Sequence, residues 1–183
     1  MIRILDIIFS LLGLVCGLPV LLTILVLSFL DTGSPILRQK RLGRNMKSFT
    51  LVKVRTMYQD TETVASHLVN TSSITFFGQF LRKTKLDELP QLWNVFKGDM
   101  SVVGPRPNLA NQEELIYARE ALGVYSVRPG ITGLAQISDI DMSTPQLLAK
   151  TDAEMIRTFS VTNYFKYIFL TVIGKGQGDR VSR

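Results

Sequence analysis

Residues 4–30 read ILDIIFSLLGLVCGLPVLLTILVLSFL, an apolar run interrupted only by Asp6, Ser10, Thr23 and Ser28. The run is long enough to cross a bilayer, which takes roughly 20 residues. Its centre, however, collects Gly13, Gly17 and Pro19. Pro19 has no N–H to give to an interior helix turn, so a break is expected there. Each arm beside the break holds only about 11 to 14 residues, too few to span alone. Arg3 precedes the run, and Arg38, Lys40, Arg41 and Arg44 follow it. Positive flanks on both sides favour keeping both ends on the cytoplasmic face. Two forms remain open on this pattern: a re-entrant helical hairpin that dips into one leaflet, and a single kinked spanning helix, since spanning helices tolerate proline. A cleaved signal peptide fits less well, because the run is too long and no A-x-A site follows it.

Outside the run, the composition narrows the class of protein. The 183 residues are 46% hydrophobic and carry 21 basic against 15 acidic side chains, a net charge of +6. The mean hydropathy of +0.20 comes largely from the first thirty residues. A basic balance points to an anionic partner: phosphates, lipid headgroups or nucleic acid. The lone Cys16 cannot make an internal disulfide, which favours a reducing compartment. A single histidine, His67, leaves no material for a histidine-built metal site or a Ser–His–Asp triad.

The remaining chain reads as one compact unit, mainly α with a small β element, an α+β domain over 32–183 behind a membrane segment over 1–31. DTGSP at 31–35 reads as a turn, and RQKRLGR at 38–44 as a basic patch at the membrane exit. FTLVKV at 49–54 predicts a short strand. Residues 58–75 read as a loop or short surface helix, and 76–83 as a short helix carrying Arg82 and Lys83. Leu89, Leu92, Trp93 and Phe96 fall on one helical face, with Asp87 as N-cap, Pro90 in the first turn and Gly98 as terminator. Further helices are expected over 108–122 and 146–158, with a rigid turn at 127–133. Residues 164–173, YFKYIFLTVI, fit a helix lying in the bilayer interface and fit an ordinary core helix equally.

Local patterns suggest chemistry without specifying it. Asp87 and Glu88 follow Arg82, Lys83 and Lys85. A carboxylate at a helix start stays ionised and can act as a nucleophile, and its neighbour can help to hold Mg²⁺. The same pair also serves as a plain cap and dipole complement. In Gly104-Pro105-Arg106-Pro107, two prolines restrict the backbone around one guanidinium, which suits bidentate phosphate binding. An ordinary turn with an exposed arginine reads equally well. Arg55 and Arg128 are weaker candidates of the same kind. Gly174-Lys175-Gly176 lacks the other residues of a P-loop.

Taken together, FTLVKVRTM, LRKTKLDELPQLWNVFKGDMSVVGPRP and VRPGITGLAQ resemble the bacterial sugar transferases that initiate glycan assembly, the monotopic polyprenyl-phosphate phosphoglycosyl transferases. The resemblance runs from the N-terminal apolar segment to about Gln136, and more loosely beyond it. It implies a re-entrant hairpin broken at Pro19, and interfacial amphipathic helices around a catalytic domain on the cytoplasmic face of the bacterial inner membrane. It implies Asp87 as nucleophile, Glu88 with Asp87 at Mg²⁺, and Arg55, Arg82 and Arg106 as phosphate-binding positions, with Arg128 a further candidate. The substrates it implies are a UDP-sugar and polyprenyl phosphate. It leaves the oligomeric state open, a homodimer included. The chain departs from the family at 137–145, ISDIDMSTP, where many relatives carry a VNGRN-like stretch, and at Lys85, where a serine is common. Rival readings are a membrane-anchored adaptor without catalysis, a hydrolase acting on the same lipids, and a nucleic-acid binder. The last rests on charge alone, with scattered basic residues and no recognition motif.

Overall fold

The computed structural model describes residues 1–59 and 71–176. His67, most of the 58–75 stretch and the end of the GKGQGDRVSR tail lie outside them. The chain begins with a helix, α1, over Ile2–Thr32, closed by Gly33 in the left-handed conformation (φ 70°). Strands β1 (Ile36–Leu42) and β2 (Ser48–Val54) follow as an antiparallel pair, in register from Ile36 opposite Val54 to Leu42 opposite Ser48. Next come α2 (Phe76–Thr84), α3 (Gln91–Lys97), β3 (Ser101–Val103) and α4 (Glu113–Ala121). The chain then runs through β4 (Gly130–Thr132), α5 (Leu134–Ile137), α6 (Pro145–Arg157) and α7 (Val161–Val172). Strands β3 and β4 pair in parallel. The fold is mainly helical with two small sheets, as expected.

Pro19 sits inside α1, which runs unbroken through it, so the two separate arms expected from the sequence are one continuous element. The proline removes one backbone donor, while its carbonyl still accepts from the Thr23 hydroxyl at 3.0 Å. In apolar surroundings a full break would strand several more backbone groups, so continuing the helix is the cheaper solution.

The pattern along α1 is inverted relative to a soluble helix. Its buried side chains are mostly polar (Asp6, Ser10, Ser28 and Thr32, with Ile24), while Ile4, Leu12, Val15, Val26 and Leu30 are exposed. An apolar outer face with polar groups turned inward marks a helix that meets lipid, and α1 is long and apolar enough to cross a membrane by length and composition.

The inner face is stitched to the domain along its length. Arg3 donates to the carbonyls of Val95 (2.6 Å) and Phe96 (2.7 Å) at the end of α3. Gly13 lets the Leu92 side chain approach so closely that a Cβ there would stand 2.7 Å from it. Ile24 packs with Val54 and Leu81, and the Thr75 hydroxyl donates to Asp31 near the far end. Burying these apolar contacts contributes about 25 cal/mol per Å² removed from water.

Several sequence expectations are altered by tertiary contacts. The basic patch at 38–44 is largely strand β1, because β2 supplies its backbone partners. Asp87 does not cap α3: Leu86–Glu88 form a separate 3₁₀ turn, and the helix proper starts after Pro90. Lys85, at φ 59° and ψ 16°, closes α2 and redirects the chain into that turn. The turn at 127–133 contains β4, and the 108–122 helix is confined to α4. In α7, Tyr164 and Tyr167 are buried while Phe165, Phe169 and Val172 are exposed, so the helix serves the core on one side only.

Candidate active site

Three elements set the position of the acid pair. Asn94, fully buried, ties α3 to the edge of β2: its amide nitrogen donates to Thr50 O (2.8 Å) and its oxygen accepts from Val52 N (3.1 Å). Thr75 caps α2 through Gly78 N at 2.9 Å. Between these fixed helices the Leu86–Glu88 turn holds Asp87 and Glu88, both buried at 4% and 9% exposure.

The Gly104–Pro107 turn reaches the same place from the small parallel sheet. Gly104 and Gly130 approach so closely that a Cβ on Gly104 would stand 2.7 Å from Gly130 N. Gly104 N donates to Thr132 O (2.8 Å), and Gly130 N donates to Pro105 O (2.9 Å). The two Gly-Pro-rich strings of the sequence are thus adjacent backbones. From this turn the Arg106 guanidinium forms an ion pair with Glu88 Oε1 at 3.2 Å. Lys85 completes the edge, its ammonium donating to Lys175 O at 3.0 Å. Burial pushes the Lys85 pKa down; Glu88 opposes the shift, Arg106 adds to it and Asp139 opposes it. Lys85, Glu88, Arg106 and Asp139 therefore share one electrostatic neighbourhood, and Asp87, the residue before Glu88, is buried beside it in the chain.

The other expected arginines occupy different surroundings. Arg82 is buried; its Nε donates to the Thr56 hydroxyl at 2.9 Å, and its Nη1 finds no partner among the described residues. Arg55 donates to Ser34 O at 3.0 Å, fastening the end of β2 to the turn after α1. Arg128 donates to Gly98 O at 2.8 Å. It lines a cavity of about 410 Å³ together with Arg3, Asp6, Arg44, Met155 and Phe159. The structure brings Glu88 and Arg106 together, with Asp87 buried next to Glu88 in the chain, and gives Arg55 and Arg128 backbone partners elsewhere. Asp141, in the departing loop, accepts from Ser143 N at 2.9 Å and shapes the approach to α6.

Among the described residues no group of three or more acid, histidine or cysteine side chains forms a metal cage. Adjacent carboxylates such as Asp87 and Glu88 are of the kind that Mg²⁺ ordinarily takes, one or two from its protein, with substrate phosphates and water completing its shell. Asp87 and Glu88 would hold it, although Glu88 already shares one oxygen with Arg106.

Two networks were not foreseen from the sequence. Asp6 Oδ1 accepts from the Ser101 hydroxyl (2.9 Å), Val102 N (3.0 Å) and the Tyr164 hydroxyl (3.0 Å). Arg119 and Asp152 form a buried ion pair at 2.7 Å. The signal was present: Leu148, Asp152 and Met155 fall at i, i+4 and i+7, placing a carboxylate on an apolar stripe.

The chain shares its sequence pattern with known proteins over nearly its whole length. The profile of a family described as bacterial sugar transferase matches residues 1–176. The UDP-glucose:undecaprenyl-phosphate glucose-1-phosphate transferase of Caulobacter vibrioides is 36% identical over 180 residues, covering 93% of this chain and 67% of that protein. The galactosyl transferase CpsE of Streptococcus agalactiae is 36% identical over 185 residues, covering 93% of this chain and 41% of CpsE. The undecaprenyl-phosphate galactose phosphotransferase of Salmonella typhimurium is 33% identical over 189 residues, covering 92% of this chain and 39% of that enzyme. The chain thus spans well under half the length of several of its relatives.

Proposed function

Because the chain belongs to the bacterial sugar transferase family, we propose that it moves a sugar 1-phosphate from a UDP-sugar to polyprenyl phosphate and releases UMP. The observation that carries this reading is the buried Asp87–Glu88 pair, its Glu88 ion-paired with the Arg106 guanidinium, on a domain built along a lipid-facing helix.

The reaction proceeds in two displacements. The Asp87 carboxylate attacks the sugar-bearing phosphorus, and the P–O bond to UMP breaks, with UMP keeping the bridging oxygen and the electron pair. An aspartyl phosphosugar remains. An oxygen of polyprenyl phosphate then attacks the same phosphorus, the aspartyl bond breaks, and Asp87 leaves as carboxylate. The product is a diphosphate-linked lipid sugar. Splitting the transfer in this way replaces one three-body encounter by two ordered steps. Arg106 and Lys85 offer positive charge to the departing UMP phosphate, and the Glu88–Arg106 ion pair holds the guanidinium at the site. Mg²⁺, held by Asp87 and Glu88, would neutralise the diphosphate of the donor.

The membrane arrangement belongs to the same proposal. An unkinked 31-residue helix would be about 46 Å long. Polar and apolar partners of the one domain meet α1 from Arg3 to Asp31. A helix so attached at both ends cannot carry its far end across the bilayer without dragging the domain with it. This supports a re-entrant α1 with both ends and the site on one face, and the basic residues flanking it, Arg3 and those at 38–44, support the cytoplasmic face of the inner membrane. There a soluble nucleotide and a lipid phosphate can meet.

The test is a UMP-release assay with detergent-solubilised protein, Mg²⁺ and a panel of UDP-sugars, with and without undecaprenyl phosphate. The proposal expects a burst of about one UMP per site without lipid, turnover with lipid, and neither in Asp87→Asn. Release that strictly requires lipid contradicts the covalent route, and normal membrane function in Asp87→Ala would favour the adaptor.

A further inference from the structure

The Gly104–Asn108 turn cannot hold itself. Pro105 and Pro107 have no N–H, so the turn's carbonyls must find donors from outside. Gly104 O accepts from Gln136 Nε2 (3.3 Å), Pro105 O from Gly130 N (2.9 Å), Pro107 O from Arg41 Nη1 (3.4 Å) and Asn108 O from Leu42 N (3.0 Å). The Arg106 carbonyl is held by Nη1 of Arg119 at 2.9 Å. The same Nη1 donates to Asn108 Oδ1 (2.9 Å), which also accepts from the Tyr125 hydroxyl (3.0 Å). The rest of the Arg119 fork, Nε and Nη2, binds Asp152 Oδ2 at 3.0 and 2.7 Å. Arg119 is 1% exposed and Asp152 is fully buried.

A buried ion pair is an expensive way to stabilise a core, since an apolar pair of similar volume is often as stable or more so. Stability alone therefore gives no reason for placing these charges between α4 and α6. The geometry does: the planar fork reads two acceptors on the turn and one on α6, which fixes the Arg106 peptide plane against rotation. The Arg106 side chain leaves from that plane toward Glu88.

Resting on the reading of the site given above, we infer that Arg119, anchored by Asp152, is a positioning residue that aims Arg106 at the acid pair and the donor phosphates. It touches neither substrate nor Asp87; it acts through the Arg106 backbone.

The experiment is a double-mutant cycle on kcat/KM for UMP release, run with radiolabelled donor so that residual rates are followed. Arg119→Lys keeps the charge and loses the fork. It is expected to lower kcat/KM by about tenfold to a hundredfold, the scale of a small misplacement at a reacting centre. In an Arg106→Ala background the same change should produce no further loss, because its target is gone. A second variant, Arg119→Met with Asp152→Leu, separates positioning from folding. It removes both charges together but leaves the Arg106 carbonyl without its donor, so it is expected to stay folded with a midpoint lowered by about 2–4 °C and still show the loss of kcat/KM. Equal losses in the presence and absence of Arg106 overturn the inference. So does a stable Met/Leu variant with unchanged kcat/KM, which then decides the matter should Arg119→Lys fail to fold. Asp87→Asn, assayed beside them, keeps the two proposals apart: activity surviving there removes the reaction mechanism itself, whatever Arg119 does.

Discussion

Replacing Asp6 by alanine tests whether α1 is an integral part of the domain or only its anchor. Asp6 lies at 2% exposure near the start of α1, and its Oδ1 receives hydrogen bonds from Ser101, Val102 and Tyr164. Burial, the Asp6 charge and this hydrogen bond together push the Tyr164 hydroxyl well above its ordinary range, so it remains a donor at all working pH values. Asp6→Ala leaves three donors without their acceptor. At about 1 kcal/mol each the floor is ~3 kcal/mol, and about 5 is the ceiling, because water can enter the adjoining cavity. For a chain of this size each kcal/mol moves Tm by about 2–4 °C, so the expected drop is roughly 6–20 °C. Asp6→Asn keeps an acceptor in place and Tyr164→Phe removes one donor; each is expected to cost about 1 kcal/mol. Thermal unfolding in one detergent at one scan rate reads the series, and the Asp6→Ala/Tyr164→Phe double variant should lose less than the sum. An Asp6→Ala midpoint within about 2 °C of wild type would show that Asp6 does not hold α1 to the domain.

Gly78→Ala should destabilise by about 1–3 kcal/mol or more. A Cβ there would stand 2.8 Å from the Thr56 carbonyl carbon and closer still to its oxygen, displacing the residue that holds Arg82; an unchanged unfolding midpoint would contradict this. Chelation of divalent metal should stop UMP release and Mg²⁺ should restore it, whereas undiminished release in excess chelator argues against metal at Asp87 and Glu88. The Lys85 pKa is lowered from 10.5 chiefly by burial, so between the folded value and 10.5 the unfolded chain binds more protons. Stability should therefore rise with pH across that window, and Lys85→Met should flatten the rise; identical slopes for the two proteins would show that the group is not desolvated.

Much of this organisation was legible in the sequence where local physics decides it. Gly98 ends α3 because a left-handed residue is needed there (φ 98°), and the short helix at 76–83 and the β-branched run at 49–54 form as their patterns predict. The acid pair and the Gly-Pro-Arg-Pro turn were visible as strings, and the turn faces the acids because β3 and β4 pair in parallel. That pairing has no local signal: each strand is three residues long. Strand β1 was hidden for a similar reason, since its basic residues read in sequence as a surface patch, while its backbone pairs with β2 and Arg41 is buried. Asp6 and Arg119 were hidden because a charged residue within an apolar pattern reads as an interruption until its partners, 95 and 33 positions away, are known. The polar residues of α1 carry the general lesson: beside lipid, the buried face of a helix is the polar one.

The proposed reaction requires that Asp87 become covalently attached to the phosphosugar. Its most direct test is intact-protein and peptide mass spectrometry of solubilised enzyme, mixed with Mg²⁺ and its UDP-sugar and quenched without lipid acceptor. One added sugar phosphate is expected, located on the peptide containing Asp87, absent in Asp87→Asn and lost on adding polyprenyl phosphate. An unmodified residue 87 in enzyme that turns over the same donor once lipid is present would contradict it.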